Sequence, residues 1–281
     1  MGDGSVTGCF PGGQGRRNGG ARFHRAGRVA ATGRRPRLRR PKLAADPPGG
    51  LCFTAGLCGR YTLTLRGETF VHELDEVRIE LKTLAPRYNL SPGQTAPVIR
   101  LEDGRPAVAT LRWGLIPFWA KDPKIAFQCI NARSEGIAAK PAFRAAFKKR
   151  RCLVPADGFY EWQKEGSAKL PWRFVRPDGH LFLFAGLWES WQPAPDQPVV
   201  ETYTVITTTP NAVTGKIHDR MPVIVDSASA KLWLDPTATP AQLESVLKPA
   251  PDDLLTVYRV SPVVNNSRNE SPVCIEPLAE G

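Results

Sequence analysis

The stretch RCLVPADGFYEWQK, at residues 151–164, is rich in apolar and aromatic side chains and predicts a strand. Turn sequences such as EDG, KEG and PDG separate similar runs along the chain. Those runs lie at 59–64, 96–102, 107–117, 172–177, 181–190, 201–210, 221–226 and 255–261. Short helical patterns occur at 67–76, 141–148, 227–234 and 239–247. We therefore predict the α+β fold class: a single compact domain with a mainly antiparallel or mixed β sheet or barrel and short helices.

Several classes of protein are disfavoured by what the sequence lacks. No apolar run approaches the roughly 18 to 20 residues of a membrane-spanning helix, so we expect no membrane partner. No Gly-rich loop follows a strand, which disfavours a nucleotide-binding doubly wound fold. The six Cys include no CxxC pair and the four His are scattered. We therefore predict no metal site, no disulfide framework and no cofactor.

The positive charge is concentrated at the start of the chain, which has 281 residues and a formal net charge of +11. Residues 1–57 contain ten Arg and one Lys against Asp3 and Asp46, a net of +9, and residues 58–281 carry the remaining +2. The basic total therefore does not by itself indicate that residues 58–281 bind nucleic acid.

Residues 1–57 form a Gly/Arg-rich leader without apolar periodicity, and we predict that this leader is disordered. It is compatible with a basic nucleic-acid-binding tail or an organelle transit peptide, although Ser5 is its single serine. A secretory signal fits less well, because no apolar segment follows the charges. We favour a fourth interpretation, in which the leader is artefactual or removed and the functional domain is 58–281.

Reactive or polar groups interrupt the β-rich runs in four stretches: LCGRY (57–61), INARSE (130–135), DGFYEW (157–162) and IHDRMP (217–222). Cys58 is a candidate nucleophile, although a lone Cys is more often an inert buried thiol. Glu161 stands between aromatic residues and is a candidate acid or base, or an ordinary strand carboxylate. His218 is a candidate proton shuttle or a capped loop residue. Asn131 either orients a reacting group or satisfies a turn.

Cationic and aromatic side chains accompany these stretches. Isolated Arg residues on a surface usually mean little, but several that converge on a thiol form an anion site, for which phosphate is the natural ligand. Aromatic residues nearby either stack on bases or pack in the core. The candidate phosphate-binding residues are Arg60, Arg87, Arg133 and Arg220, and the aromatic candidates are Trp119 and Trp162.

Taken together, six motifs resemble the SOS response-associated peptidase (SRAP) family of abasic-site-processing proteins. The matching segments are CGRYTL at 58–63, RYNLSPGQ at 87–94, RWGLIPFWA at 112–120, INARSE at 130–135, RCLVPADGFYEW at 151–162 and IHDRMPVIV at 217–225. The resemblance covers nearly all of 58–281 and none of 1–57. It implies a compact, mainly β, α+β domain with a basic cleft.

The resemblance also implies an activity. Proteins of this family capture abasic sites in single-stranded DNA as a covalent DNA–protein crosslink, through a cysteine exposed when the initiator Met is removed. By resemblance Cys58 is that cysteine, and Asn131, Glu161 and His218 match the other active-site positions. Arg60, Arg133 and Arg220 match DNA-binding positions, Arg87 lies in a matched motif, and Trp119 and Trp162 line the DNA surface.

The crosslink is a thiazolidine, formed when the α-amine and thiol of an N-terminal Cys both add to the sugar aldehyde. Behind a leader, the nitrogen of Cys58 is an amide and cannot form the required Schiff base. We therefore expect translation to start at Leu57, or the chain to be cleaved between Leu57 and Cys58. The expected activities are cysteine-dependent autopeptidase and abasic-site crosslinking of lyase type.

The expected partner is single-stranded DNA that contains abasic sites, bound by a monomer in a bacterial cytoplasm and near the nucleoid during repair. Two other classes of function remain open from the residues alone. A cysteine peptidase acting on other proteins would use a Cys–His pair and would need no free N-terminus. A noncovalent single-strand-binding module would rely on the Arg and Trp residues and would tolerate Cys58→Ala.

Overall fold

The computed structural model describes residues 59–64 and 85–279. Strands β1 to β12 in these ranges are Tyr61–Leu63, Arg87–Leu90, Thr95–Glu102, Arg105–Trp113, Asn131–Arg133, Arg151–Ala156, Gly158–Glu165, Ala168–Val175, Phe182–Trp191, Val200–Thr208, Met221–Pro222 and Thr256–Arg259. Helices α1 to α3 are Arg144–Lys149, Ser227–Leu234 and Pro240–Val246. The leader 1–57, Cys58 and the expected helix at 67–76 lie outside the described residues.

Five of the strands close into a barrel. Strand β10 pairs with β9 on one side and with β4 on the other, and β4, β3, β6 and β9 follow one another in hydrogen-bonded order. The β4–β10 pairing is parallel and the other four are antiparallel. Strands β5 and β11 pair with the second half of β10. The predicted fold class, a mainly antiparallel or mixed barrel with short helices, is confirmed.

A second sheet of five strands, in the order β12-β8-β7-β1-β2, lies beside the barrel. An aromatic cluster fills the space between the two, because strands of both contribute large side chains to one buried core. The Phe159 and Phe174 rings of the second sheet stack at 4.8 Å between centroids. Phe159 also meets Phe184 of the barrel edge-on, at 6.0 Å. This packing fixes β7, and hence the DGFYEW stretch, against the barrel.

The prediction of a single strand at 151–164 is wrong. The chain forms two strands there, β6 and β7, and changes sheets at Asp157. Strand β6 belongs to the barrel and β7 to the second sheet. The Asp157 carboxylate accepts hydrogen bonds from the Thr64 amide, at 2.8 Å, and from the hydroxyls of Thr62 and Thr64. The Asp157 amide donates to the carbonyl of Thr62 at 2.9 Å. These bonds direct the chain away from the barrel and onto β1.

Three short helices cover one side of the barrel. Their apolar faces and the barrel strands form a second buried cluster, in which Trp233 of α2 is fully enclosed. Helix α2 begins at its predicted residue, where the Asp226 side chain accepts from the Ser229 amide. Helix α3 begins with a capping box made by Thr239 and Gln242. None of the helices in the described ranges has the length and apolar character needed to cross a bilayer.

Barrel closure requires a residue without a side chain at Gly186 on β9. A Cβ atom there would lie 2.9 Å from the Thr204 carbonyl oxygen and 3.0 Å from the Cys152 sulfur. We expect Gly186→Ala to lower the free energy of unfolding by about 1–3 kcal/mol, measured by urea denaturation. Gly215→Ala is the matched control, because its Cβ would meet Pro210 at an ordinary 3.6 Å. Equal stability of the two variants would contradict this account of barrel closure.

Candidate active site

Glu161 is a buried carboxylate on strand β7, which runs between β1 and β8 in the second sheet. The residue is 2% exposed to solvent. Its strand position is set by pairing with Trp172 on β8 and by the bond from the Tyr160 amide to the Arg60 carbonyl, at 3.0 Å. A carboxylate buried to this extent needs polar or charged neighbours. Its burial excludes the interpretation of Glu161 as an exposed strand position.

His218 supplies one such neighbour. Its Nε2 atom lies 3.8 Å from Glu161 Oε2, across 57 residues of sequence. The residue follows a 3₁₀ turn at Thr214–Lys216 and is tied to it by a bond from the His218 amide to the Thr214 carbonyl, at 2.9 Å. A separation of 3.8 Å is longer than a direct hydrogen bond. The two side chains therefore face each other without a direct hydrogen bond between these two atoms.

Asn131 opens strand β5, where it pairs with Val205 of β10, and it is 6% exposed. On β10, Thr207 pairs with residues of both the INARSE and the IHDRMP stretches. It pairs with Arg133 on one side and with Pro222 on the other. The INARSE and IHDRMP stretches therefore flank the same end of β10. The structure thus brings Glu161 and His218 together and places Asn131 on β5, which pairs with the same strand as the IHDRMP stretch.

The predicted nucleophile Cys58 lies outside the described residues, but the residues that follow it are placed. Arg60 lies beside Tyr160, one position before Glu161 on the adjacent strand. Two other thiols, Cys129 and Cys152, are buried. Burial raises the pKa of the Cys129 thiol to about 11 and raises that of Cys152 further. Neither is therefore a thiolate at neutral pH.

Comparison with known proteins assigns the fold and its motifs to a family. The family model for the SOS response associated peptidase (SRAP) matches residues 57–267. The chain belongs to the SRAP family. The abasic site processing protein YoqW of Bacillus subtilis (strain 168) is 41% identical over 224 residues, covering 78% of this chain and 99% of YoqW. The abasic site processing protein HMCES of Xenopus tropicalis is 34% identical, covering 69% of this chain and 66% of HMCES.

Solved structures agree with this family assignment. A protein from Bacteroides thetaiotaomicron superposes with a TM-score of 0.68 at 28% identity, covering 79% of this chain and all of that one. A phage-related protein from Bordetella bronchiseptica superposes with a TM-score of 0.59 at 30% identity, covering 72% of this chain and 94% of that one. The barrel and second sheet described above are therefore an SRAP architecture.

The predicted phosphate-binding arginines of this SRAP domain differ in how many hydrogen bonds their guanidinium groups already make to other protein groups. Arg60 donates to Asn89 Oδ1 and to the Val264 carbonyl, each at 2.8 Å, and burial lowers its pKa. Arg87 pairs with Glu270 at 3.1 Å. Arg133 is exposed, and within the described ranges its guanidinium has no hydrogen bond. Of these three, Arg133 is the most available to a ligand.

Arg220 is held more tightly than any of these three. Its guanidinium donates to both carboxylate oxygens of Glu135, at 2.6 and 3.0 Å, and to the Thr207 carbonyl at 2.6 Å. The residue is 7% exposed. Donation from Arg220 holds the pKa of the Glu135 carboxyl below its usual value. A phosphate that contacts this guanidinium would therefore have to compete with Glu135.

The two predicted aromatic residues take different positions in the SRAP domain. Trp119 is 49% exposed, beside Phe118 at 57%, in the segment between β4 and β5. Trp162 is half-buried, and its indole N–H donates to Asn265 Oδ1 at 2.6 Å. The Arg60 guanidinium lies 5.7 Å from the centre of its ring. Trp119 is thus free to stack on a ligand, whereas Trp162 is oriented by protein groups.

The hydrogen-bonding partners of these candidate residues were not predicted from the sequence. Asn89 binds the carbonyls of Val264, Asn266 and Asn269, and so attaches the C-terminal segment 261–275 beside Arg60. Glu270 accepts from the amide of Asn89 at 3.0 Å. Asn89 and Glu135 lie inside quoted motifs, so each was visible as a polar neighbour of a candidate. Segment 261–275 carried no local signal of its role.

Proposed function

We propose that this protein processes abasic sites in single-stranded DNA by crosslinking to them through Cys58. The observation that carries the proposal is the Glu161–His218 pair, 3.8 Å apart, beside the strand that directly follows Cys58. Its relatives YoqW and HMCES are named abasic site processing proteins, which supports the choice of substrate. The proposed unit is residues 58–281, and the leader 1–57 is artefactual or removed before the reaction.

The proposed reaction uses the two nucleophiles of an N-terminal cysteine. An abasic deoxyribose opens from its hemiacetal to an aldehyde, and the neutral α-amine of Cys58 adds to the aldehyde carbon. The resulting carbinolamine loses water to become an imine. The thiol sulfur then adds to the imine carbon, and the thiol proton ends on the nitrogen, which closes a five-membered thiazolidine ring. The α-amine has an unperturbed pKa near 8, so a useful fraction is neutral at physiological pH.

Proton transfer in these steps is assigned to the buried pair. His218 protonates the sugar ring oxygen as the hemiacetal opens, and Glu161 takes and returns the proton of the attacking amine. Asn131, at the start of β5, is assigned the role of orienting the amine through its side-chain amide. The same groups serve the preceding autopeptidase step, in which water cleaves the bond before Cys58 and Glu161 relays the proton.

DNA binding is assigned to the arginines and tryptophans around the site. Arg133 is the proposed primary phosphate contact because it is exposed. Arg60, Arg87 and Arg220 contribute positive charge next to it, and each would bind phosphate in exchange for a protein acceptor. Trp119 offers a face for base stacking, and Trp162 forms part of the surface near Arg60. The proposed form is a monomer in the bacterial cytoplasm, associated with the nucleoid during repair.

The proposal is tested by comparing two cysteines in a chain that begins with Met directly before Cys58. The protein is incubated with a single-stranded oligonucleotide that contains one abasic site, and its intact mass is measured. Cys58→Ser is expected to lose the covalent adduct, whereas Cys129→Ser, which removes a buried thiol, is expected to keep it. An adduct that survives Cys58→Ser would overturn the thiazolidine. Tight binding without any adduct in the parent protein would indicate a noncovalent module.

A further inference from the structure

The two loops that carry candidate site residues are joined by an ion pair that the proposed reaction does not use. Glu135 belongs to the INARSE stretch and Arg220 to the IHDRMP stretch. Both carboxylate oxygens accept from the guanidinium, a bidentate geometry that fixes orientation as well as distance. The third bond, to the Thr207 carbonyl of β10, anchors Arg220 to the barrel. These three bonds restrain the position of residue 220.

The main chain at residue 220 in turn touches the candidate catalytic histidine. The Arg220 amide N–H donates to His218 Nδ1 at 3.0 Å. A ring nitrogen that accepts a hydrogen bond carries a lone pair, so in the neutral ring the proton resides on Nε2. That nitrogen is the one that faces Glu161 Oε2 at 3.8 Å. The amide of Arg220 thus favours the tautomer that directs an N–H toward the proposed proton-transfer partner.

The opposite tautomer has acceptors close at hand, so the choice depends on where residue 220 lies. The Arg220 carbonyl oxygen is 3.2 Å from His218 Nδ1, and Asp219 Oδ1 is 3.3 Å from it. A proton on Nδ1 could bond to either oxygen, but it would then face the Arg220 N–H. A shift of the main chain at residue 220 would weaken the bond from its amide to Nδ1. The Asp219 carboxylate would then be an acceptor for a proton on that nitrogen.

We infer that Glu135 is a positioning residue for the reaction: through Arg220 it holds the main-chain amide that selects the His218 tautomer with its proton on Nε2. The inference rests on the function proposed above. It also explains why a carboxylate lies beside a site expected to bind DNA, where its charge opposes a phosphate. The alternative role for Glu135 is to restrain Arg220 from binding phosphate, in which case its removal would strengthen DNA binding.

The experiment measures the histidine tautomer directly. Protein beginning with Met before Cys58 is labelled with ¹⁵N-histidine, and the ring nitrogens of His218 are identified by their loss in His218→Gln. The shifts of Nδ1 and Nε2 distinguish the tautomers without any reaction. Glu135→Ala is compared with Glu135→Gln, which keeps one acceptor for Arg220. The matched control is Glu102→Ala, which breaks a similarly exposed Glu–Arg pair at the β3–β4 turn.

The parent protein and Glu102→Ala are expected to show the Nε2–H form. Glu135→Ala is expected to show a mixture of tautomers and, at DNA concentrations that saturate binding, a crosslinking rate lower by about tenfold or more. Glu135→Gln is expected to lie between these, and it carries the test should Glu135→Ala fail to fold. An unchanged tautomer, or an unchanged rate with a changed tautomer, would overturn the inference. Tighter DNA binding by Glu135→Ala, with an unchanged tautomer, would instead support the role in which Glu135 restrains Arg220 from binding phosphate.

Failure of the proposed function would look different. A parent protein that forms no crosslink, but whose His218 tautomer follows the Glu135 substitutions, would leave the contact chain from Glu135 to His218 intact and remove the proposed reaction. A parent protein that crosslinks, but whose tautomer ignores Glu135, would keep the reaction and remove the positioning role.

Discussion

A chain that begins with Met directly before Cys58 is expected to crosslink to abasic single-stranded DNA, and the intact chain that begins at Met1 is expected to form no adduct. The difference is chemical, because the amide nitrogen of an internal Cys58 has no lone pair available for a Schiff base. We therefore expect an all-or-none effect.

Intact mass measures both the start of the protein and the adduct in this comparison. The adduct is expected at the mass of the processed chain plus one oligonucleotide, less one water. A control chain that begins Met-Gly-Cys58 keeps the thiol but exposes the amine of Gly instead, and it is expected to be inactive. A full-length chain that crosslinks with its leader still attached would show that the α-amine of Cys58 is not needed. A full-length chain that first loses residues 1–57 would demonstrate autoproteolysis.

Glu161→Gln is expected to reduce crosslinking by about 100-fold or more while leaving the affinity for single-stranded DNA unchanged. Glutamine has nearly the same shape as glutamate, so the buried position is still filled, but its amide cannot take up and release a proton. The residue is 2% exposed, and its Oε2 atom lies 3.8 Å from His218 Nε2. Loss of proton transfer between these two groups is therefore the principal effect of the substitution.

The control for this substitution is a second buried carboxylate. Glu189 on β9 has a 3% exposed side chain and pairs with Arg150 at 2.8 Å, beside the first half of β10. Glu189→Gln is expected to change stability but to leave the crosslinking rate of the folded protein unaltered. Rates are followed on denaturing gels and affinities by fluorescence anisotropy with undamaged DNA. Crosslinking at the parent rate in Glu161→Gln would remove Glu161 from the mechanism.

Local patterns in the sequence predicted the elements of the fold well. Alternating and apolar runs predicted the barrel strands, and helix α2 begins and ends at its predicted residues, 227 and 234. The reason is that strand periodicity and helix capping depend on neighbours a few residues away. The run at 151–164 was predicted as one strand because nothing local marks Asp157 as the point where the chain changes sheets. Its partners, Thr62 and Thr64, are about ninety residues distant.

The candidate site residues show the same contrast between what local sequence predicts and what distant contacts decide. The motif residues Asn131, Glu161 and His218 were recognised from their local sequence and their order, and family membership was readable from the motifs alone. The availability of the arginines was not. Arg60, Arg87 and Arg220 read alike in sequence, yet they are occupied by Asn89, Glu270 and Glu135.

Local patterns in the sequence predict the strand-rich class of the fold, the residue types proposed for the site, and the concentration of positive charge in residues 1–57. Tertiary structure alone decided that β10 closes a barrel, that Glu161 and His218 come within 3.8 Å, and that Glu135 reaches His218 through Arg220. Composition and periodicity are properties of neighbouring residues, whereas the contact of Glu161 with His218 spans 57 residues and that of Glu135 with Arg220 spans 85, and both depend on how distant segments pack.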